Sequence, residues 1–204
     1  MLDGGQGNTL TTDMLLAAYA NGYFPMARSR EDKQILWYYP EERGIIPLDG
    51  FHVPRSLAKF MRHMPFIFRT NTAFAEVMTA CAEQGTGRDS TWINDEIIRA
   101  YCQLHQQGFA HSVECWQGEA LVGGLYGVAL GGAFFGESMF SRTTNASKCA
   151  LVHLVQLLRD AGYTLLDTQF VNDHLVQFGV VEIAREDYLA QLLEAMRVQP
   201  KDCF

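Results

Sequence analysis

The sequence predicts an α+β fold: a mixed sheet with flanking helices, preceded by a small N-terminal α/β domain. Three observations predict it. Between residues 111 and 139 the apolar residues alternate, and the turn pairs Gln117-Gly118 and Gly131-Gly132 break the run into an antiparallel meander. The period then changes, with Leu151, Leu154, Val155 and Leu158 on one helical face up to Gly162. A short apolar strand over 165–170 and a last helix over 185–196 close the chain.

The chain has 204 residues, enough for one large domain or for a large and a small one. The reading places a small domain over 1–64 and a larger domain over 65–204. In the first, Thr12 or Asp13 caps a helix through Met14, Leu15 and Tyr19, which Gly22 stops and Pro25 keeps from resuming. Residues 35–39 and 43–48 read as strands, and Pro54 opens a helix with Leu57, Phe60 and Met61. In the second, 66–69 is a short strand, and Phe74, Val77, Met78 and Cys81 have helical spacing. A loop with Gly85 and Gly87 follows. Asn94 caps a helix through Ile97, Ile98, Tyr101 and Leu104, ended by Gly108. After the meander, Asn145 or Ser147 caps the next helix.

A composition of 48% hydrophobic and 19% charged residues excludes wholesale disorder. The formal net charge of -7 argues against non-specific nucleic-acid binding over the whole surface, while leaving room for a local basic patch. Five cysteines without a C-x-x-C pair or zinc-ligand spacing point to reduced, mostly buried thiols and to no metal. The N-terminal stretch lacks a basic region followed by an apolar one, and no apolar run reaches the roughly 20 residues of a membrane span. The expectation is a cytoplasmic protein, not a membrane one. There is no G-x-G-x-x-G and no P-loop, so nicotinamide, flavin and nucleoside-triphosphate cofactors have no support.

Three polar residues stand where a core strand should be apolar. Asp167 and Gln169 lie two apart and are expected on one strand face, among Leu165, Leu166, Phe170 and Val171. Glu137 follows Phe134, Phe135 and Gly136 and precedes Met139 and Phe140. A satisfied core network or an exposed strand end would account for them, but a buried carboxylate and amide together favour a site. The six histidines share no ligand spacing on one element.

Meander, helix, strand and helix is the layout of the acetyltransferase-like (GNAT-like) fold. Coenzyme A enzymes of that fold hold pyrophosphate on a Gly-rich turn. Here the link is SRTTNASK (141–148), without glycine, which argues against coenzyme A. No cofactor is expected.

The segments AYANGYFPM (18–26), LWYYPEERGIIP (36–47), FHVPRSL (51–57), TWI (91–93), HSVECW (111–116), LVGGLYGV (121–128), FFGESMFSR (134–142), NASK (145–148), LLDTQFVNDH (165–174) and GVVEIAREDY (179–188) resemble the leucyl/phenylalanyl-tRNA–protein transferase family. They cover nearly the whole chain in the family's order. GESMFSR with D-x-Q downstream is the most specific part. The resemblance implies transfer of Leu or Phe, and less readily Met, from aminoacyl-tRNA to the N-terminal Arg or Lys of a protein, which marks that protein for degradation. It maps Trp37 and Trp92 near the terminal adenosine, and Glu137, Asp167 and Gln169 at the reaction centre. Leu125, Phe134 and Met139 map to the acyl side-chain pocket, and Ser141 to substrate binding. Family members often carry tryptophan where this chain has Tyr38.

In this reading Gln169 orients the amine or the carbonyl, and Asp167 attracts and deprotonates the ammonium. Glu137 holds the ribose hydroxyls or the substrate α-amine. Arg55, Lys59 and Arg62, spaced four and three apart, put three cations on one helix face that fits tRNA phosphates. The protein is expected to be a monomer. Two other classes compete: a coenzyme A-dependent N-acetyltransferase of the same fold, and a non-catalytic module that recognises N-terminal residues.

Overall fold

The computed structural model describes residues 9–63, 66–83 and 90–204. The expected Gly85–Gly87 loop lies outside the described residues.

Helix α1, Thr12–Ala20, is capped one residue earlier than the sequence suggests, because the Thr11 Oγ1 accepts from the Met14 N–H at 3.2 Å. Strands β1, Phe24–Ala27, and β2, Ile35–Tyr38, form a separate two-stranded antiparallel ribbon. Pro25 marks a helix stop in the sequence, and nothing there signals β1. Pro25 is tolerated in the strand because a two-stranded ribbon leaves one side of each strand without a ladder to donate to.

Next come β3, Glu42–Ile45; α2, Arg55–Met61; β4, Ile67–Thr70; α3, Phe74–Ala82; and α4, Asp95–Gln106. The expected Asn94 cap is present, with its Oδ1 accepting from the Ile97 N–H at 2.9 Å. The meander is β5, Ala110–Gln117; β6, Ala120–Leu130; and β7, Ala133–Ser141. Helix α5, Ala146–Ala161, follows, but neither Asn145 nor Ser147 caps it with a side chain. Asn145 sits in the left-handed region at φ 64°, and the Ser147 N–H bonds instead to the Ser141 Oγ at 2.9 Å. Strand β8, Leu165–Gln169, helix α6, Asp173–Val176, strand β9, Val181–Ala184, and helix α7, Arg185–Ala195, complete the fold.

Seven strands form one mixed sheet in the order β4-β5-β6-β7-β8-β3-β9. Among the described residues only β7 and β8 run parallel, joined through α5 as a parallel connection requires. The sheet does not follow the expected division at residue 64, because β3 lies between β8 and β9 and pairs antiparallel with both.

Alternate residues of the central strands feed two cores. Tyr126, Phe135 and Leu165 join α1, α3, α4 and α7 on one face. Leu125, Phe134 and Leu166 join α2 and α5 on the other. Gly123 lets α5 lie close against β6, since a Cβ there would stand 2.4 Å from the Ala146 Cβ.

Candidate active site

Strands β7 and β8 pair over only three residues each, Ala133 to Phe135 against Leu165 to Asp167. Past that point a cavity of about 660 Å³ opens, lined by Gly136 through Arg142 on one side and Thr168 to Phe170 on the other. The site therefore lies where the one parallel pair ends, at the carboxyl ends of both strands.

Glu137 is the ionisable group at the inner end of this cavity. Its Oε1 accepts from the Tyr19 hydroxyl at 2.6 Å and from the Gln169 Nε2 at 3.3 Å, and its Oε2 accepts from the Tyr101 hydroxyl at 3.3 Å. The Tyr19 and Tyr101 hydroxyls also bond to each other. Burial pushes the Glu137 carboxyl up to about 8, and the nearby Asp167 charge adds to that. The Tyr19 hydrogen bond, the Arg43 charge and the Tyr101 hydrogen bond pull the other way without cancelling burial. Tyr19 and Tyr101, wholly buried beside this carboxyl, are held well above the usual phenol range and stay protonated donors.

Asp167 occupies a different environment. It is fully buried, and both oxygens are taken. Arg43 donates through Nε at 2.9 Å to Oδ1 and through Nη2 at 2.6 Å to Oδ2. The Tyr188 hydroxyl donates to Oδ2 at 2.7 Å, and the Gln169 N–H donates to Oδ1 at 2.8 Å. Arg43 is itself only 1% exposed, donates to the Gly22 carbonyl at 2.9 Å, and lies between the rings of Phe24 and Tyr188. Its guanidinium loses hydration on burial, but the Asp167 carboxylate outweighs that loss and raises its proton affinity.

Asp167 and Gln169 both turn to groups on the α1, α4 and α7 side of the sheet, but the regular strand ends at Gln169. Its φ is 59°, and the Phe170 N–H bonds to the Thr168 carbonyl at 2.7 Å, closing a tight turn over it. The left-handed conformation costs a non-glycine residue about 1–3 kcal/mol. The turn swings the Gln169 amide toward Glu137 while its backbone stays tied to Asp167. Two hydroxyls of cavity-lining residues, Tyr126 and Thr168, are buried without a hydrogen-bond partner among the described residues.

The apolar part of the cavity includes Leu125, Met139, Leu151, Leu154, Leu166 and Leu175. Leu125 and Met139 both line it and stand opposite each other in the β6–β7 register. Phe134 does not line the cavity. It is fully buried behind it, in the core that Leu125 and Leu166 share, with its ring on Phe204 at 5.5 Å.

Trp92 lines the cavity and Trp37 does not. Alternation along the ribbon explains the difference. Phe24 and Met26 both line the cavity, and they stand opposite Tyr38 and Leu36 in register, whereas Trp37 stands opposite Pro25. Met26, which no sequence signal marks, therefore accompanies Trp92, and the Ala27 N–H bonds to the Trp92 carbonyl at 3.3 Å. Ser141 is at the mouth, with its hydroxyl tied to the Thr143 carbonyl and the Ser147 N–H. Arg55, Lys59 and Arg62 are all exposed around α2 and lie away from the cavity lining.

Arg43, Tyr19, Tyr101 and Tyr188 are not among the sequence candidates. Arg43 follows two glutamates and reads as a surface residue, and the tyrosines sit at apolar helix positions that read as core. No local pattern marks them, since each is polar only toward partners supplied from more than 20 residues away. Among the described residues no group of His, Cys, Asp and Glu side chains is placed to hold a metal ion.

Comparison with known proteins gives a consistent result over the length of the chain. The leucyl/phenylalanyl-tRNA protein transferase family matches residues 45–193, and the N-terminal domain of that family matches residues 8–41. A protein of Paramagnetospirillum magneticum named leucyl/phenylalanyl-tRNA–protein transferase is 58% identical over 187 residues, 92% of this chain and 90% of its own. Relatives of the same name from Rhodospirillum rubrum and Phenylobacterium zucineum are 56% and 59% identical, over 93% and 89% of this chain and 89% and 82% of theirs. Among solved structures, the L-PGS from Bacillus licheniformis aligns with 80% of this chain and 54% of its own at 15% identity and a TM-score of 0.42, too weak a likeness to name the fold. With both segments of the family matched and more than half of the aligned residues shared with its members, the chain belongs to the leucyl/phenylalanyl-tRNA protein transferase family.

Proposed function

We propose that this aminoacyltransferase moves Leu or Phe, and less readily Met, from aminoacyl-tRNA to the N-terminal Arg or Lys of acceptor proteins, marking them for degradation. The observation that carries the reading is the apolar pocket of Leu125, Met139, Leu151, Leu154, Leu166 and Leu175, opening directly onto Glu137. Leu, Phe and Met are unbranched at Cβ and enter such a pocket, whereas the branch of Val or Ile collides at its neck. Apolar pockets discriminate by about 1–3 kcal/mol per methylene, so some use of Met follows.

The reaction is aminolysis of an activated ester. The acceptor's ammonium first loses a proton, and its nitrogen then attacks the ester carbonyl. The C–N bond forms, the attacking nitrogen gives up a second proton, the bond to the ribose oxygen breaks, and that oxygen takes up one proton on leaving, so that one proton in all is released to solvent. Glu137 suits the proton transfers, because a carboxyl near 8 takes a proton from an ammonium and returns it at neutral pH. Gln169 orients the amine or the carbonyl from 3.3 Å away from Glu137. Asp167, with both oxygens engaged, acts by holding the Gln169 backbone, so we assign the proton acceptor to Glu137 in its place.

Trp92 and Met26 flank the terminal adenosine, Phe134 backs the acyl pocket, and Ser141 shapes the mouth. Trp37 supports the ribbon that carries Met26. Arg55, Lys59 and Arg62 contact acceptor-stem phosphates, a sequence-independent grip that suits several tRNAs. The protein works as a cytoplasmic monomer without a cofactor. No described helix is long and apolar enough to cross a membrane.

The test is a transfer assay with Phe-tRNA and a peptide that begins with Arg. Labelled Phe appears on the Arg peptide and not on one beginning with Ala. No product with Phe-, Leu- or Met-tRNA, or acetylation from acetyl-CoA instead, would overturn the reading.

A further inference from the structure

Arg142 stands at the mouth of the cavity, one residue past the end of β7, and its partner Glu83 stands one residue past the end of α3. The Arg142 Nη2 meets both Glu83 oxygens, at 3.0 and 3.1 Å. Its Nη1 reaches the Leu121 carbonyl at 3.4 Å, and the guanidinium lies over the Phe140 ring at 5.3 Å. These contacts aim the guanidinium across the opening. Both partners remain about half exposed, at 49% and 53%.

Among the described residues, Arg142 is the only Lys or Arg that lines the cavity. A guanidinium binds a phosphate diester as readily as a carboxylate, through the same planar donors. An ion pair this exposed contributes little, so exchanging one anion for another costs little. The substrate brings the competing anion. An ester seated at Glu137 on the terminal ribose has a phosphodiester one nucleotide back, and that group has to leave through the mouth.

We propose that Arg142 binds the phosphodiester preceding the esterified terminal nucleoside, and that Glu83 is the carboxylate this phosphate displaces. The inference rests on the reading of the cavity as the site of an aminoacyl-tRNA ester. It assigns Arg142 a role apart from the α2 cations, which face phosphates of the acceptor stem.

Two small donors test it: phenylalanyl-adenosine, which has no phosphate, and phenylalanyl cytidylyl-adenosine, which has one. The parent enzyme prefers the dinucleotide donor. In Arg142→Ala the preference, measured as the ratio of the two KM values, falls by about tenfold, the weight of one charged hydrogen-bonded contact. Glu83→Gln removes the competitor and lowers the KM for the dinucleotide donor a few-fold, and it keeps the test open where Arg142→Ala folds poorly. An unchanged ratio in Arg142→Ala, or a higher dinucleotide KM in Glu83→Gln, overturns the proposal. A parent enzyme that transfers Phe from none of these donors or from Phe-tRNA would overturn the ester site itself, which is a separate outcome.

Discussion

Glu137 combines burial with three donors, and that combination sets its behaviour with pH. In the proposed reaction the ionised form is the proton acceptor, so transfer should rise with pH through an apparent pKa near 8. Glu137→Gln should lower kcat by about 10²–10⁴-fold and abolish that rise, as a pH–rate profile would show. Stability should move oppositely. The native carboxyl holds its proton up to about 8, whereas the unfolded one releases it near 4.5. The native state therefore binds more protons between those values, and stability falls as pH rises across that window. Urea midpoints of the parent and Glu137→Gln, compared from pH 4.5 to 9, should diverge in favour of the variant at the alkaline end. Arg43 presents the opposite case, a cation that compensates a buried anion. Arg43→Ala strands Asp167 and should destabilise the fold by about 3–5 kcal/mol. An Asp167→Asn change in the same chain should recover part of that loss, because it removes the stranded charge; a double variant no more stable than Arg43→Ala would speak against the pairing as its cause.

Elements differ in how far their sequences specify them. Gly127 in β6 has no room for a side chain, since a Cβ would meet the Phe135 carbonyl at 2.3 Å and the Phe134 ring at 2.4 Å. Gly127→Ala should cost about 1–3 kcal/mol and displace Phe134 from behind the proposed acyl pocket, visible as a lower Tm together with weaker discrimination between Leu- and Val-tRNA. Helix α2 shows the converse. Leu57 faces the core while Arg55, Lys59 and Arg62 stay exposed. Replacing the three with Ala should raise the KM for aminoacyl-tRNA well above its effect on aminoacyl-adenosine, and should flatten the salt slope by about 0.9 for each phosphate that is no longer neutralised. Elements whose own period reaches the core, such as α4, α5 and the meander, are legible in the sequence because burial and spacing agree. Strands β1 and β9 and the four-residue α6 are not, because so few residues carry no period and their partners lie elsewhere. The site divides in the same way. Glu137 and Gln169 stand out as polar residues in apolar strands. Choosing between Trp37 and Met26 needs the ribbon register, which neither residue encodes.

At the scale of the molecule the net charge is -7, yet exposed cations stand on α2 and at the cavity mouth, the two places where the proposed substrate would pass. Under the proposed function, acceptor proteins that begin with Arg or Lys meet an attractive average field while tRNA is held only locally, so tRNA affinity should fall with salt more steeply than acceptor affinity does. The position of β3 has another consequence. Residues 42–45 are among the first to leave the ribosome, yet both strands that flank them, 165–169 and 181–184, are among the last. Arg43 likewise waits for Asp167 and Tyr188. The proposed catalytic centre therefore cannot assemble vectorially, and a nascent chain carries an unpaired strand and an uncompensated arginine through most of its synthesis. Chains arrested before residue 165 should be readily degraded by protease, with protection of the 42–45 segment appearing abruptly once residue 188 has cleared the exit tunnel.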